Sequence, residues 1–311
     1  MSLILIDFAN EKEYKRIFMN VKQIIESSYL KLSQKDIVDS MLKVKMVVSY
    51  VTTIPKVYLI SHEDKELTEE QVTKINEYID KIADGYPVQY ITHEQYFRKL
   101  KLYVDDNVLI PQPDTEVLVD EAIKIIDDIS CNFDGNTQMK MDPLKVLDLC
   151  TGSGAIVLSL ANERPEHTYS ATDISSEALK IANKNAEDNG LEIIFWQGDM
   201  FKALPEKYKF DLIVANPPYI ETATLDILPK EVKHEPKLAL DGGHDGLEFY
   251  RTIAKEAKDY LVPNGYVVVE IGFNQKVHVE NIFKANWYKN VYTVQDLAGN
   301  DRVVIAQVGD K

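Results

Sequence analysis

Cysteine is nearly absent from this chain: only Cys131 and Cys150 occur in 311 residues. They form no C-x-x-C pair and no metal-spaced set, which excludes a disulfide scaffold and a thiolate metal site. Reduced thiols in a reducing compartment are the expectation. Long apolar runs are missing too, since none approaches the roughly 20 residues that span a bilayer. The apolar start, Leu3 to Ile6, meets Asp7 too soon for a signal-peptide core, so the chain reads as cytoplasmic with no membrane partner. Positive charge is scarce: 35 Lys and Arg face 50 Asp and Glu, a net charge of −15. Through Tyr86 the count is 12 against 14, and the remainder carries 23 against 36. A protein gripping duplex nucleic acid needs a basic stripe to neutralise phosphates, and nothing here supplies one. Nucleic acid is therefore not an expected partner, and the acidity reads as a soluble surface.

What is present is ordinary globular composition, 45% hydrophobic and 27% charged, in a chain long enough for two domains. Residues 1–86 read as a small helical domain. Asn10 with Glu13 resembles a capping box, followed by Tyr14, Ile17, Phe18, Val21, Ile24 and Ile25 at helical spacing. Ser33 is placed to cap a second helix with Ile37, Val38, Met41 and Leu42. Thr68-Glu69-Glu70-Gln71 opens a third, with Val72, Ile75, Ile79 and Ile82, which stops at Gly85. Residues 87–113 hold short β-like runs, Tyr90-Ile91, Tyr96-Phe97, Leu100 to Val104 and Val108 to Ile110, and read as a β-hairpin linker.

Residues 114–311 form the third part. From Lys145 strands and helices alternate: Val146–Leu149, Tyr169–Thr172, Ile193–Trp196, Leu212–Ala215 and Tyr266–Ile271 are strands. Helices run from Glu177 to Asp188, stopped by Gly190, and from Leu247 to Leu261. Val291–Leu297 and Val303–Val308 flank Gly299-Asn300-Asp301 as a closing antiparallel hairpin. The expectation is an α/β fold with a doubly wound, mostly parallel sheet.

Two segments carry chemistry. Asn216-Pro217-Pro218-Tyr219 ends the strand Phe210–Ala215. Asn216 offers a side-chain carbonyl, and Pro217 a backbone carbonyl without an N–H. Two acceptors side by side suit a planar –NH2 group, on which Tyr219 can stack; the acceptor is an amide or an exocyclic amine. As an isolated tetrapeptide this is equally a strand-ending turn. Asp148 to Ala155 follows the first strand, with Gly152 and Gly154 letting the backbone approach a ligand closely. Asp173, 19 residues after Gly154, is placed to accept from ribose hydroxyls. Val157 occupies the third glycine position of a dinucleotide fingerprint, so a pyrophosphate is not indicated. After the third strand, Asp199 offers an acceptor for an adenine amino group and Met200 an apolar cover; a plain loop role explains Asp199 as well.

These segments, with Pro87-Val88-Gln89-Tyr90, Ile110 to Glu116, Glu235-Pro236 to Gly246-Leu247 and Asp301-Arg302-Val303-Val304, resemble the class I S-adenosylmethionine-dependent methyltransferases. More narrowly the chain resembles the protein-(glutamine-N5) methyltransferases that modify peptide chain release factors. The resemblance implies a seven-stranded catalytic sheet and a helical N-terminal domain that helps hold the release factor. It implies methylation of the glutamine in the Gly-Gly-Gln loop, with S-adenosylmethionine converted to S-adenosylhomocysteine. Carried onto this chain, the cofactor positions are Cys150, Thr151, Gly152, Ser153, Gly154, Asp173, Asp199, Met200 and Asn216. The substrate positions are Asn216, Pro217, Pro218 and Tyr219, with Asn216, Pro217 and Tyr219 in catalysis and no metal.

Two residues depart from the family pattern. Cys150 stands where glycine is common, which speaks against a positive φ there. Gln112 replaces the usual arginine between Pro111 and Pro113, so no charged contact arises from that position. Alternatives stay open at this point: an adenine-N6 methyltransferase, a glutamine methyltransferase of a ribosomal protein, an NAD-dependent oxidoreductase, or a module that only binds protein.

Overall fold

The computed structural model describes residues 19–131, 142–206 and 208–309. The chain divides into two compact units, one ending at Asp84 and the other starting at Gly85. In the first, α1 (Val21–Ser33) is opened by a reciprocal capping box between Asn20 and Gln23, followed by α2 (Ser40–Thr52) and α3 (Glu69–Ala83). Thr68 and Gln71 close the expected capping box on α3, and Gly85 ends that region at φ +98°. The Asn10–Glu13 box lies outside the described residues. Ser33 does not open a helix: it is the last residue of α1, its hydroxyl donating to the Leu30 carbonyl at 3.0 Å. Ile37 and Val38 sit in the turn before α2.

In the second unit, Pro87 precedes α4 (Val88–Thr92). Tyr90 and Ile91 are therefore helical rather than extended, as a proline just ahead of a first turn permits. The hairpin follows as β1 (Gln95–Phe97) and β2 (Leu100–Leu102), whereas Val108 to Ile110 forms no strand. Phe97, Leu100 and Leu102 are buried in the same apolar cluster as Leu118 and Ile126 of α5 (Glu116–Cys131), so the hairpin shares the core of this unit.

The sheet itself comprises β3 (Lys145–Leu149), β4 (Thr168–Asp173), β5 (Ile194–Gln197), β6 (Phe210–Ala215), β7 (Leu261–Glu270), β8 (Tyr288–Gln295) and β9 (Asp301–Val308). Its order is β5-β4-β3-β6-β7-β9-β8. The first five strands in this order are parallel, and β9 runs antiparallel to both β7 and β8. Alternate residues enter opposite cores. Val146, Leu212, Val214 and Val268 face α5 and α6 (Ala155–Glu163). Leu147, Ile213, Val267 and Val269 face α10 (Glu248–Glu256) and α11 (Lys276–Ala285). A sheet covered on both faces is what near-continuous apolar strands require.

The helix expected from Leu247 to Leu261 is shorter, because Leu261 already opens β7. Between β4 and β5 lies α7 (Ser176–Asn189), ended by Gly190 at φ +67°. Two short helices, α8 (Lys230–Lys233) and α9 (Lys237–Leu240), precede α10. Strand order reverses between β3 and β6, which opens a crevice beyond their C-terminal ends.

Candidate active site

The loop from Cys150 to Gly154 leaves β3 in left-handed steps, with φ +58° at Cys150, +56° at Gly152 and +84° at Gly154. A positive φ at Cys150 overturns the expectation drawn from its side chain. The turn holds a Cβ there because neighbouring groups fix it. Thr151 N–H donates to the Thr172 carbonyl at 3.0 Å, and Thr151 Oγ1 donates to Asp148 Oδ2 at 2.7 Å. Burial raises the Asp148 carboxyl to about 7. Burial, with Asp173, Asp148 and Asp199 nearby, also pushes the Cys150 thiol well up, which removes it as a nucleophile.

Asp173 ends β4 beside this loop. Its Oδ2 accepts from Gly152 N–H at 2.9 Å and its Oδ1 from Ser175 N–H at 2.9 Å. The Ile174 N–H also favours its ionised form, and the lone pair left over can accept from a ligand hydroxyl. Asp199, after β5, binds Lys202 Nζ through Oδ2 at 2.6 Å, so the plain loop role is part of what it does. Met200 follows at φ +44°.

A cavity of about 280 Å³ joins these groups. Cys150, Thr151, Gly152, Ser153, Asp173, Asp199, Met200, Asn216 and Pro218 all line it. Gly154, Pro217 and Tyr219 do not. Gly154 turns the chain into α6 instead, and Pro217 is buried in the turn after β6. Tyr219 packs on the core that contains Tyr250, its phenol pushed up by burial and by Glu270. Among the described residues the lining holds Asp106, Asp173 and Asp199 but no Lys, Arg or His. Such a wall favours a cationic or neutral ligand over a phosphate.

Several groups around the site carry no sequence signal of their own. Thr115, in the turn Pro113–Thr115, lines the cavity, and its Oγ1 accepts from Asn216 Nδ2 at 3.4 Å. Glu270 ends β7 with 3% exposure. Asn185 of α7 ties the cofactor-type loop to the hairpin: its Nδ2 donates to the carbonyls of Ser153 at 2.9 Å and Tyr103 at 3.0 Å. Gln275 braces the Asn-Pro-Pro-Tyr turn from behind, donating to the Tyr219 carbonyl at 3.0 Å. Gln112 lines the cavity while its amide donates back to the Ile110 carbonyl at 3.0 Å. Gln112 apart, which the sequence singles out and whose partner is two residues away, these are single polar residues whose partners lie far along the chain.

Comparison with known proteins agrees with this geometry. Residues 23–92 match the PrmC N-terminal domain model, and residues 136–244 the Methyltransferase small domain. A crystal structure of a methyltransferase from Pyrococcus furiosus shares the fold, with a TM-score of 0.50 and 18% identity over 75% of this chain and 98% of that one. The release factor glutamine methyltransferase of Thermodesulfovibrio yellowstonii is 40% identical over 84% of this chain and 90% of its own length. That of Geobacter sulfurreducens is 34% identical over 93% and 97%. Likeness at this level over nearly whole chains shows that the protein belongs to the release factor glutamine methyltransferases.

Proposed function

We propose that this enzyme transfers the methyl group of S-adenosylmethionine to the side-chain amide nitrogen of the glutamine in a release factor's Gly-Gly-Gln loop. The observation that carries the reading is the cavity running from Asp173 to Asn216, whose lining among the described residues holds no Lys, Arg or His. S-adenosylmethionine has a ribose for Asp173 and a sulfonium in place of phosphates, so an acidic and apolar wall fits it. When bound, it supplies an electrophilic methyl. Cys150, Thr151, Gly152 and Ser153 would hold it from the loop side, with Asp199 and Met200 at the adenine end.

The remaining work falls to the chain's own residues. A glutamine nitrogen is a poor nucleophile because its lone pair is delocalised into the carbonyl. Asn216 Oδ1 and the Pro217 carbonyl would accept its two N–H hydrogens and orient the nitrogen in line with the methyl. Both contacts strengthen as positive charge develops on nitrogen. Pro217 keeps Asn216 out of the α region, and Pro218 does the same for Pro217. Proton loss follows readily, since an N-protonated amide is strongly acidic, and no dedicated general base is needed. Tyr219 contributes by packing behind the turn as well as by any stacking on the amide. The helical first unit exposes Leu30, Val38 and Leu42, apolar side chains of the kind a protein partner covers.

Mass spectrometry of peptides from an unmethylated release factor, after incubation with enzyme and cofactor, tests the reading. One added methyl on the Gly-Gly-Gln glutamine is expected. Asn216→Ala should lower kcat by about 10² to 10³ while cofactor binding persists. Full activity of a folded Asn216→Ala protein sinks the mechanism, and methylation of adenine or of a ribosomal protein alone sinks the substrate.

A further inference from the structure

We propose that Glu270 is a positioning residue: it takes the –NH2 end of the Asn216 side chain and so turns Asn216 Oδ1 toward the methyl-accepting nitrogen. The inference rests on the amide-methylation reading above. Sheet register supplies the first argument. Strands β6 and β7 are parallel with Ala215 opposite Val269, so Asn216 and Glu270 are the next pair, side by side where both strands end. Asn216 lines the cavity and Glu270 does not, which places the carboxylate behind the amide.

Chemistry supplies the second. Glu270 is 3% exposed, and its Oε2 has no hydrogen-bond partner. Burial raises its carboxyl to about 7, against the Thr115 hydroxyl, Arg302 and the Asn216 amide, which face it and favour its ionised form, while Asp114 adds to the rise. Arg302 divides its charge, since its Nη2 lies 3.1 Å from both Asp296 and Asp114. A carboxylate only accepts, whereas a carboxamide has a donor end and an acceptor end. The –NH2 of Asn216 is therefore drawn toward Glu270 and Thr115, and its oxygen faces the cavity. Without that anchor the amide can rotate by half a turn. It would then present –NH2 to the substrate –NH2, two donors facing each other.

The experiment compares wild type, Glu270→Leu and Glu270→Gln, with kcat and KM measured on an unmethylated release factor and cofactor affinity by calorimetry. The expected results are a kcat loss of about tenfold or more in Glu270→Leu with cofactor affinity retained, and recovery of most of that loss in Glu270→Gln, whose Oε1 still accepts. A second readout is independent of turnover: the Asn216 side-chain ¹⁵N–H₂ resonances, assigned by their loss in Asn216→Ala. These should stay sharp in wild type and Glu270→Gln and broaden in Glu270→Leu. If wild type shows the locked amide yet does not methylate a release factor, the substrate reading fails and the positioning role stands. Wild-type kcat in Glu270→Leu overturns the positioning role. So does an equal loss in both variants, or an Asn216 signal that neither variant disturbs.

Discussion

Gly242 lies so close to Tyr219 that a Cβ on it would stand 2.7 Å from Tyr219 Cα and 2.9 Å from the Pro218 carbonyl oxygen. The two segments are also laced together: Ile220 N–H donates to the Leu240 carbonyl at 3.0 Å, and Gly242 N–H to the Ile220 carbonyl at 2.8 Å. The strand-ending turn that carries the two acceptor carbonyls is thus held against a segment without a side chain. Gly242→Ala should push the turn toward the cavity. Such overpacking costs about 1–3 kcal/mol, and a displacement of the acceptors should lower kcat about tenfold to a hundredfold. Steady-state methyl transfer together with thermal unfolding checks this, and an unchanged kcat would show that the turn tolerates the shift.

Asp173 makes a different prediction, because its carboxylate both shapes the loop and lines the cavity proposed to hold the cofactor. Asp173→Asn keeps an acceptor for one backbone N–H but turns an –NH2 toward the other, at Gly152 or Ser175. Hydrogen bonds to charged groups contribute about 1.5–3 kcal/mol each. Cofactor affinity should fall by about tenfold to a hundredfold, while kcat at saturating cofactor changes less. Calorimetry with S-adenosylmethionine measures the first, and an unaltered affinity would remove Asp173 from the ribose site.

Much of this architecture is visible in the residues themselves. The strands of the sheet announce themselves as apolar runs ended by turn formers, and Gly190 at φ +67° stops α7 where glycine should. The cavity residues sit at the ends of β3, β4, β5 and β6, where strand-order reversal places any ligand of this fold. The misses have physical causes. Tyr90 and Ile91 carry β-forming side chains, yet they are helical behind Pro87. Cys150 adopts a left-handed conformation at φ +58° because the loop demands it, whatever its own preference. Glu270 and Thr115 are invisible as a pair, since they lie far apart in the chain and meet at one amide, Glu270 through the β6–β7 register and Thr115 through its contact with Asn216 Nδ2. The sequence offers Tyr219 as a stacking partner for the amide, and the structure adds that it packs, partly buried, against the core that contains Tyr250.

The last prediction concerns Glu235, ahead of the α9 segment that walls the cavity. It is 9% exposed, and its Oε2 has no partner. Ile110 N–H donates to it and Glu231 stands near, but burial dominates and raises its carboxyl from 4.5 to about 7. The folded protein therefore binds this proton more tightly than the unfolded chain. The stability it confers is complete below about pH 4.5 and is lost as pH rises through about 7. Asp148 and Glu270, both raised to about 7, act in the same direction. Wild-type Tm should accordingly fall between about pH 5 and pH 8. In Glu235→Gln that fall should be shallower, with the variant the more stable protein at the alkaline end and close to wild type at the acid end. Parallel Tm curves for the two proteins across that range would mean that Glu235 is already ionised in the fold.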